Sequence, residues 1–531
     1  MIMRCGILAC PALLLVVPLL RAEVGPEVTE ALKLSSTIDR LIEVRIKDAG
    51  IRPAPLASDA EFMRRVYLDL AGRIPRVSEV RAFLDDKRPD KRARLVEQIL
   101  RSAAYVNHMT NTWNRLLLPE SNNRRFLDQT FRAWLAQRFR DNVAYDTMVR
   151  ELITAPVGYS QGRSLSRSTG AGQAIAFYQA NEFKPENLAA SVSRIFLGVK
   201  LECAQCHNHP FAEYKRTQFW QLAAFFAGIR STSRNGFVTT ASESPRVNKI
   251  KIPDTETEVV ARFLDGTEPD MTSDLPLRQI LADWVTSPTN PYFAKATVNR
   301  FWAHFFGIGF VDPVDEPSEG NPPSHPELLE EMGRQFAAHQ FDLKYLIRAI
   351  VNSKTYQRTS EVDGEEPEPR LFACMAIKGL TAEQFWDSLV QATGYRQTNP
   401  QAGRQTVFTQ TTARQQFLAM FASQERPTEY QSSILQALML MNGDFIGSAT
   451  DGANLEKTER LAAIWDAPFL DTTAKKVEVL FLATLSRMPS AEELDRMVRY
   501  VDSGGPKKNP RAAIADVFWA LLNSSEFMFN H

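Results

Sequence analysis

Cysteine and histidine are scarce in this sequence, with five of the first and seven of the second among 531 residues. Cys5 and Cys10 fall in an apolar N-terminal stretch, which leaves Cys203, Cys206 and Cys374 for the body of the chain. Three thiols exclude a scaffold built on disulfides. They also exclude an iron–sulfur cluster held by four thiolates of this chain. Net charge is missing too, because 62 Lys+Arg balance 62 Asp+Glu. A protein that binds nucleic acid by neutralising phosphates shows a basic excess or stripe, so nucleic acid is set aside as a partner. Beyond the N-terminus no apolar run reaches the length of a membrane helix, so none is expected once the leader is removed. Phosphate loops, dinucleotide fingerprints, Gly-x-Ser-x-Gly elbows and His-Glu-x-x-His motifs are absent.

What is present begins with a leader. Met1 to Arg4 give a short positive start, and an apolar run follows, broken by Pro11 and Pro18. A polar stretch opens at Arg21-Ala22-Glu23. This is the layout of a secretory signal peptide over residues 1–22, cut after Ala22. The expected location is outside the cytoplasm, in the periplasm, the envelope or the extracellular space.

Helical periodicity dominates the remainder, so the fold class is mainly α. Residues 37–49 place Ile38, Leu41, Ile42 and Ile46 on one side and end at Gly50. Ser58 and Glu61, Thr381 and Gln384, and Ser490 and Glu493 have the spacing of capping boxes, in which each side chain satisfies a free backbone N–H of the other residue. Ser78 is placed to cap the helix that follows it. Residues 158–172 are rich in Gly, Ser and Arg and read as a loop. Residues 247–252 and 258–263 are β-branched and alternating, with Pro253-Asp254 between them, and predict a small β-hairpin. The chain divides into a helical domain over 36–230, a linker with the hairpin over 231–274, and a second helical domain over 275–531.

One pentapeptide carries chemistry. Cys203-Ala204-Gln205-Cys206-His207 has the form of a c-type haem attachment site. Its two thiols have the spacing to reach the two vinyl groups of one haem, and the histidine follows as proximal iron ligand. The aromatic segment 218–226 (Phe219, Trp220, Phe225, Phe226) is placed to wall such a site. Three other readings stay open: a local disulfide between Cys203 and Cys206, simple packing, and zinc held by the cysteines with His207 and His209. Four ligands within seven residues are crowded, so zinc would recruit a remote histidine. His304 and His325 are the remote candidates, for zinc or as a sixth ligand to haem iron. Each also has a plain structural reading, His304 as a buried residue of an aromatic helix and His325 at a helix start. His531 reads as solvated, Cys374 as a core thiol, and Asp312 and Asp315 as loop caps more than as an acid–base pair.

The segment Leu197-Gly198-Val199-Lys200-Leu201-Glu202-Cys203-Ala204-Gln205-Cys206-His207-Asn208-His209-Pro210-Phe211 resembles the core of the planctomycete-type secreted cytochrome-like domain. Arg64-Arg65-Val66-Tyr67-Leu68-Asp69-Leu70-Ala71-Gly72-Arg73-Ile74-Pro75 resembles an earlier part of it. Asn299-Arg300-Phe301-Trp302-Ala303-His304-Phe305-Phe306-Gly307 resembles the C-terminal domain that accompanies it in Planctomycetes and Verrucomicrobia. Asn321-Pro322-Pro323-Ser324-His325-Pro326 and Val351-Asn352-Ser353-Lys354-Thr355-Tyr356 add to the second match. Both are families of unknown function. The sequence departs from their pattern at Asn208, where Asp is usual, and at Asp315-Glu316-Pro317, where Asp-Asp-Phe is usual. The resemblance implies that His209, His304 and His325 accompany the cysteines, a set suited to a metal centre between the two halves.

The expectation is an exported protein with covalent haem c, for electron transfer or redox sensing with an unidentified redox partner. The alternatives are a zinc-type extracellular enzyme acting on a polymer such as polysaccharide, and a non-catalytic envelope scaffold.

Overall fold

The computed structural model describes residues 26–118, 124–160, 174–209, 212–234, 237–362, 364–395, 413–421, 450 and 459–531. The leader over 1–22 and most of the loop over 158–172 lie outside them. The described helices, in chain order, are α1 Pro26–Asp48, α2 Asp59–Ala71, α3 Val77–Asp85, α4 Lys91–Leu100, α5 Ala103–Leu117, α6 Arg124–Arg140 and α7 Tyr145–Ile153. Next come α8 Ile175–Ala180, α9 Pro185–Phe196, α10 Arg216–Ala223, α11 Leu277–Val285, α12 Phe293–Phe306, α13 Pro326–Ala338 and α14 Leu343–Val351. The last are α15 Ala382–Thr393, α16 Ala413–Phe421, α17 Glu459–Asp466, α18 Thr473–Thr484, α19 Ala491–Asp502, α20 Pro510–Leu522 and α21 Ser525–Met528. The chain is mainly α, and no described helix is long and apolar enough to cross a membrane.

Strands are short. β1 (Tyr159–Ser160) and β2 (Ile229–Arg234) flank β3 (Phe237–Glu243) in an antiparallel sheet. β4 (Lys249–Lys251) pairs with β5 (Glu258–Val260), with Ile250 opposite Val259. This is the hairpin the alternation predicts, and Asp254 takes the positive φ of its turn. The β2–β3 hairpin was not anticipated, because its polar, Thr- and Ser-rich strands give no apolar alternation. β6 (Lys378–Gly379) pairs with β7 (Phe529–Asn530).

Side-chain caps start several of the helices. Thr381 with Gln384 and Ser490 with Glu493 form reciprocal capping boxes. The Ser58 hydroxyl accepts the Glu61 N–H, but the Glu61 carboxylate does not return to Ser58. It accepts from Arg65, from the Thr359 hydroxyl and from the Ser360 N–H, where it ties two distant segments together. Ser78 lies inside α3, and the cap there is made by Glu79, which accepts the Arg76 N–H at 2.6 Å.

Two apolar cores organise these elements. The first gathers buried side chains between Ala31 and Met375, together with Leu482. It runs without a break across residues 231–274. The second gathers side chains from Leu380 to Phe527, together with Leu68 and Ile74 of the α2 region. α2 therefore touches both, and its polar residues are what join them. Arg64 donates to the carbonyls of Thr484, Glu526 and Phe527. Arg65 donates to those of Tyr356, Arg358 and His531. The Asp69 carboxylate, 2 % exposed, accepts from Lys378 Nζ (2.8 Å), the Tyr356 hydroxyl (2.7 Å) and the Asn530 amide (2.8 Å). Lys378 also donates to the carbonyls of His304 and Phe305, at the negative C-terminal end of the α12 dipole. Hydrogen bonds to these side chains and carbonyls are what make the buried charges tolerable.

Candidate functional site: the Cys203–His207 turn

Helix α9 delivers the cysteines. It ends at Phe196 with Leu197 as its C-terminal cap, and Gly198 takes φ +65°, with Ala296 of α12 lying 2.8 Å from the place a Cβ would occupy. A residue with a side chain would meet both the left-handed backbone penalty and that contact. Lys200 then fixes the segment that leads into the turn. Its N–H donates to the Asp315 carbonyl at 2.7 Å, and its ammonium pairs with Glu316 at 2.7 Å. A 3₁₀ turn over Glu202–Gln205 follows, anchored inward by Leu201 and Ala204.

Around that turn the polar contacts converge. The Gln205 carbonyl accepts from Trp220 Nε1 (3.0 Å) and Arg216 Nε (3.2 Å). Asn208 Oδ1 accepts the Arg216 N–H at the start of α10 (3.0 Å). Arg216 Nη2 reaches the Pro253 carbonyl in the β4–β5 turn. The His209 N–H donates to Tyr214. The turn is thereby held while its reactive side chains face outward. Cys203 and Cys206 are exposed free thiols, not joined to each other. His207 is exposed, and its Nδ1 lies 2.6 Å from the Asn208 carbonyl. That contact makes Nδ1 the protonated nitrogen and leaves the Nε2 lone pair free, the usual arrangement of a ligating histidine. Beside the turn, burial pushes the Glu202 carboxyl above its usual range, with Arg194 acting against the shift.

The other candidates lie elsewhere. His304 is half-buried, its Nε2 on the Asp69 carbonyl at 3.1 Å and its ring 5.7 Å from that of His108. Burial lowers its pKa. His325, 3 % exposed, contacts the Ser324 hydroxyl through Nδ1 and packs on Phe310 and Phe372. Burial, aided by Arg45 and Arg370, lowers it to about 4. Among the described residues no three His, Cys, Asp or Glu side chains form a group able to hold a metal. The inter-domain set of cysteines with His304 or His325 is therefore not assembled among the described residues: His304 Nε2 sits on the Asp69 carbonyl, and His325 packs on Phe310 and Phe372 with its Nε2 unpartnered. Segment 218–226 also differs from expectation. Phe219, Trp220, Phe225 and Phe226 all point into the core, and Trp220 presents only its N–H to the turn. His531 is half-buried and not fully solvated: burial lowers it to about 4, and its carbonyl accepts from Arg65. Cys374 is half-buried and its thiol is pushed up by burial. Sequence reasoning did not find the Asp69–Lys378–Tyr356–Asn530 network. Its one sequence signal was the two arginines and the aspartate clustered on an otherwise apolar helix.

The molecule is thus a two-core helical protein that presents one outward Cys-x-x-Cys-His turn. Residues 37–231 match PSCyt2, Protein of unknown function (DUF1549), and residues 277–501 match PSD1, Protein of unknown function (DUF1553). The chain belongs to the group that carries these two domains in this order. No curated protein and no solved structure matches it.

Proposed function

We propose that the chain is an exported redox protein carrying one covalently attached haem c on the Cys203–His207 turn. The observation that supports this most is the orientation of His207, with Nδ1 tied to the Asn208 carbonyl beside two free, exposed thiols. The donor set fits the group: Cys203 and Cys206 would each add S–H across one vinyl group, and His207 Nε2 would ligate the iron. When bound, haem supplies a one-electron centre. The chain's own residues do the positioning. Trp220 and Arg216 hold the Gln205 carbonyl between the two cysteines and so fix the spacing of the thiols. Asn208 serves twice, setting the histidine tautomer through its carbonyl and the start of α10 through its side chain. An exposed turn also leaves the site open to a redox partner.

The test is a denaturing gel stained for haem peroxidase activity, on protein exported from a host that matures c-type cytochromes. A haem-positive band at full mass is expected, weakened in Cys203→Ala or Cys206→Ala and lost in the double variant. A negative band beside a positive control cytochrome sinks the reading.

A further inference from the structure

A wide cleft in the described structure lies far along the chain from the cysteine turn. It has a volume of about 1370 Å³ and opens between α2, α3 and α5 on one side and α15 and α17 on the other. Small-molecule pockets run roughly 300–1,000 Å³, so this cleft has room for an oligomeric ligand. Its charged lining is lopsided: Arg73, Arg76, Arg81 and Arg460 against Glu79 and Asp387. Glu79 is consumed by Arg73 and by the Arg76 backbone N–H. Arg76 is exposed, and neither it nor Arg460 forms an ion pair among the described residues. Arg460 gives one Nη2 hydrogen bond to the Gln391 carbonyl, while its buried Nε has no partner. Burial and the neighbouring Arg76 charge both depress its pKa, so the two guanidinium groups repel across the cleft.

Two further observations point to a ligand. His108 lines the cleft at 6 % exposure, and its Nε2 has no hydrogen-bond partner. A buried donor or acceptor left unmade carries a desolvation cost that a bound polar group removes. Phe469, on the same lining, is 70 % exposed, a large apolar face without a protein neighbour to cover it. Unpaired forked cations, buried unmet polar atoms and an open aromatic face together suit a ligand that carries oxyanions on apolar-faced rings. Paired arginines favour carboxylate or sulfate, which they bind through two parallel N–H donors.

We propose that this cleft binds an acidic oligosaccharide, with its carboxylate or sulfate groups held by Arg76 and Arg460 and a ring face on Phe469. The site is independent of the cysteine turn and stands whether or not haem is attached. The experiment is calorimetric titration of the full chain at low ionic strength with trigalacturonate, a heparin-derived oligosaccharide, neutral maltotriose, sodium sulfate and pentaglutamate. Binding of at least one acidic saccharide but not of maltotriose is expected. Arg76→Gln and Arg460→Gln should each weaken it about ten- to hundredfold, the loss typical of a charge-assisted contact. Arg76 is exposed, so its variant serves even if Arg460→Gln fails to fold. Phe469→Ser should weaken the saccharide without changing sulfate. Failure of both acidic saccharides to bind overturns the proposal. So does affinity matched by free sulfate or by pentaglutamate, or affinity unchanged in both arginine variants.

Discussion

His325 is held neutral by its surroundings, and this gives the protein an acid-sensitive residue. Packed between Phe310 and Phe372 and facing Arg45 and Arg370, its imidazole titrates near 4, against 6.5 when unfolded. Between those values the unfolded chain binds a proton that the folded chain does not. By linkage, stability is unaffected above about pH 6.5 and falls as pH drops from there toward 4. His108 and His531, also lowered by burial, act in the same direction. His325→Phe removes one such proton while keeping a ring in the slot. Its unfolding free energy, measured by urea denaturation at steps from pH 7 to pH 4, should fall less steeply with acid than that of the parent. Equal slopes would show that His325 contributes nothing to acid sensitivity; the slope, not the absolute stability, is the readout. The buried Asp69–Lys378 pair makes a different point at the same scale. Its Coulomb gain is offset by desolvation, yet its hydrogen bonds reach α12, β7 and Tyr356 at once, so its contribution is the fixed alignment of those elements.

At the scale of elements, local chemistry was readable and long-range use of the same side chains was not. Helix α1 stops just before Gly50, as its apolar spacing and that glycine predict, because both are properties of neighbouring residues, although it begins at Pro26 and not at residue 37. The Thr381 and Ser490 boxes formed for the same reason. Glu61 had the right spacing but went to Arg65 and Thr359, a competition invisible without the fold. The cysteine turn is legible as a motif, whereas Trp220, read within segment 218–226 as part of a cofactor wall, instead supports the turn together with Arg216. An amphipathic aromatic helix does not say which side is core. Gly198 is where element geometry controls the site, since it turns α9 into the cysteine segment. Gly198→Ala should cost about 1–2 kcal/mol for the left-handed backbone, plus a further loss from overlap with Ala296. Gly50→Ala is the control, because Gly50 has a similar φ (+69°) and no atom within 4 Å of the added Cβ. Denaturant midpoints should therefore fall further for the Gly198 variant. Equal losses would show that the α9–α12 contact is not tight.

At the scale of the whole molecule, the two family-matched regions do not correspond to two separate cores. α1, from the first region, packs on α14, from the second. Ser35 bonds the Ala349 carbonyl, and Asp39 accepts the N–H groups of Lys354 and Thr355. Glu97 pairs with Arg348, and Arg278 of α11 pairs with Glu243 and the carbonyls of Ile153 and Ala155. Cutting the chain in the segment 231–274 would expose the apolar faces of α1, α9 and α12 and strand these buried charges without partners. Each uncovered large apolar side chain forfeits roughly 1.5–3 kcal/mol of burial, against a total stability of only about 5–15 kcal/mol for a typical domain. Residues 26–274 and 275–531, produced separately, should accordingly aggregate or lack a cooperative thermal transition by circular dichroism, while the joined chain unfolds cooperatively. A soluble, cooperatively unfolding 26–274 fragment would mean that the first region holds itself together and that the shared core is dispensable. If the fragments fail as expected, the cysteine turn depends on the second region for its placement, through Gly198 against Ala296 and Lys200 against Asp315 and Glu316. The second helical region then acts as the support on which the reactive turn is built.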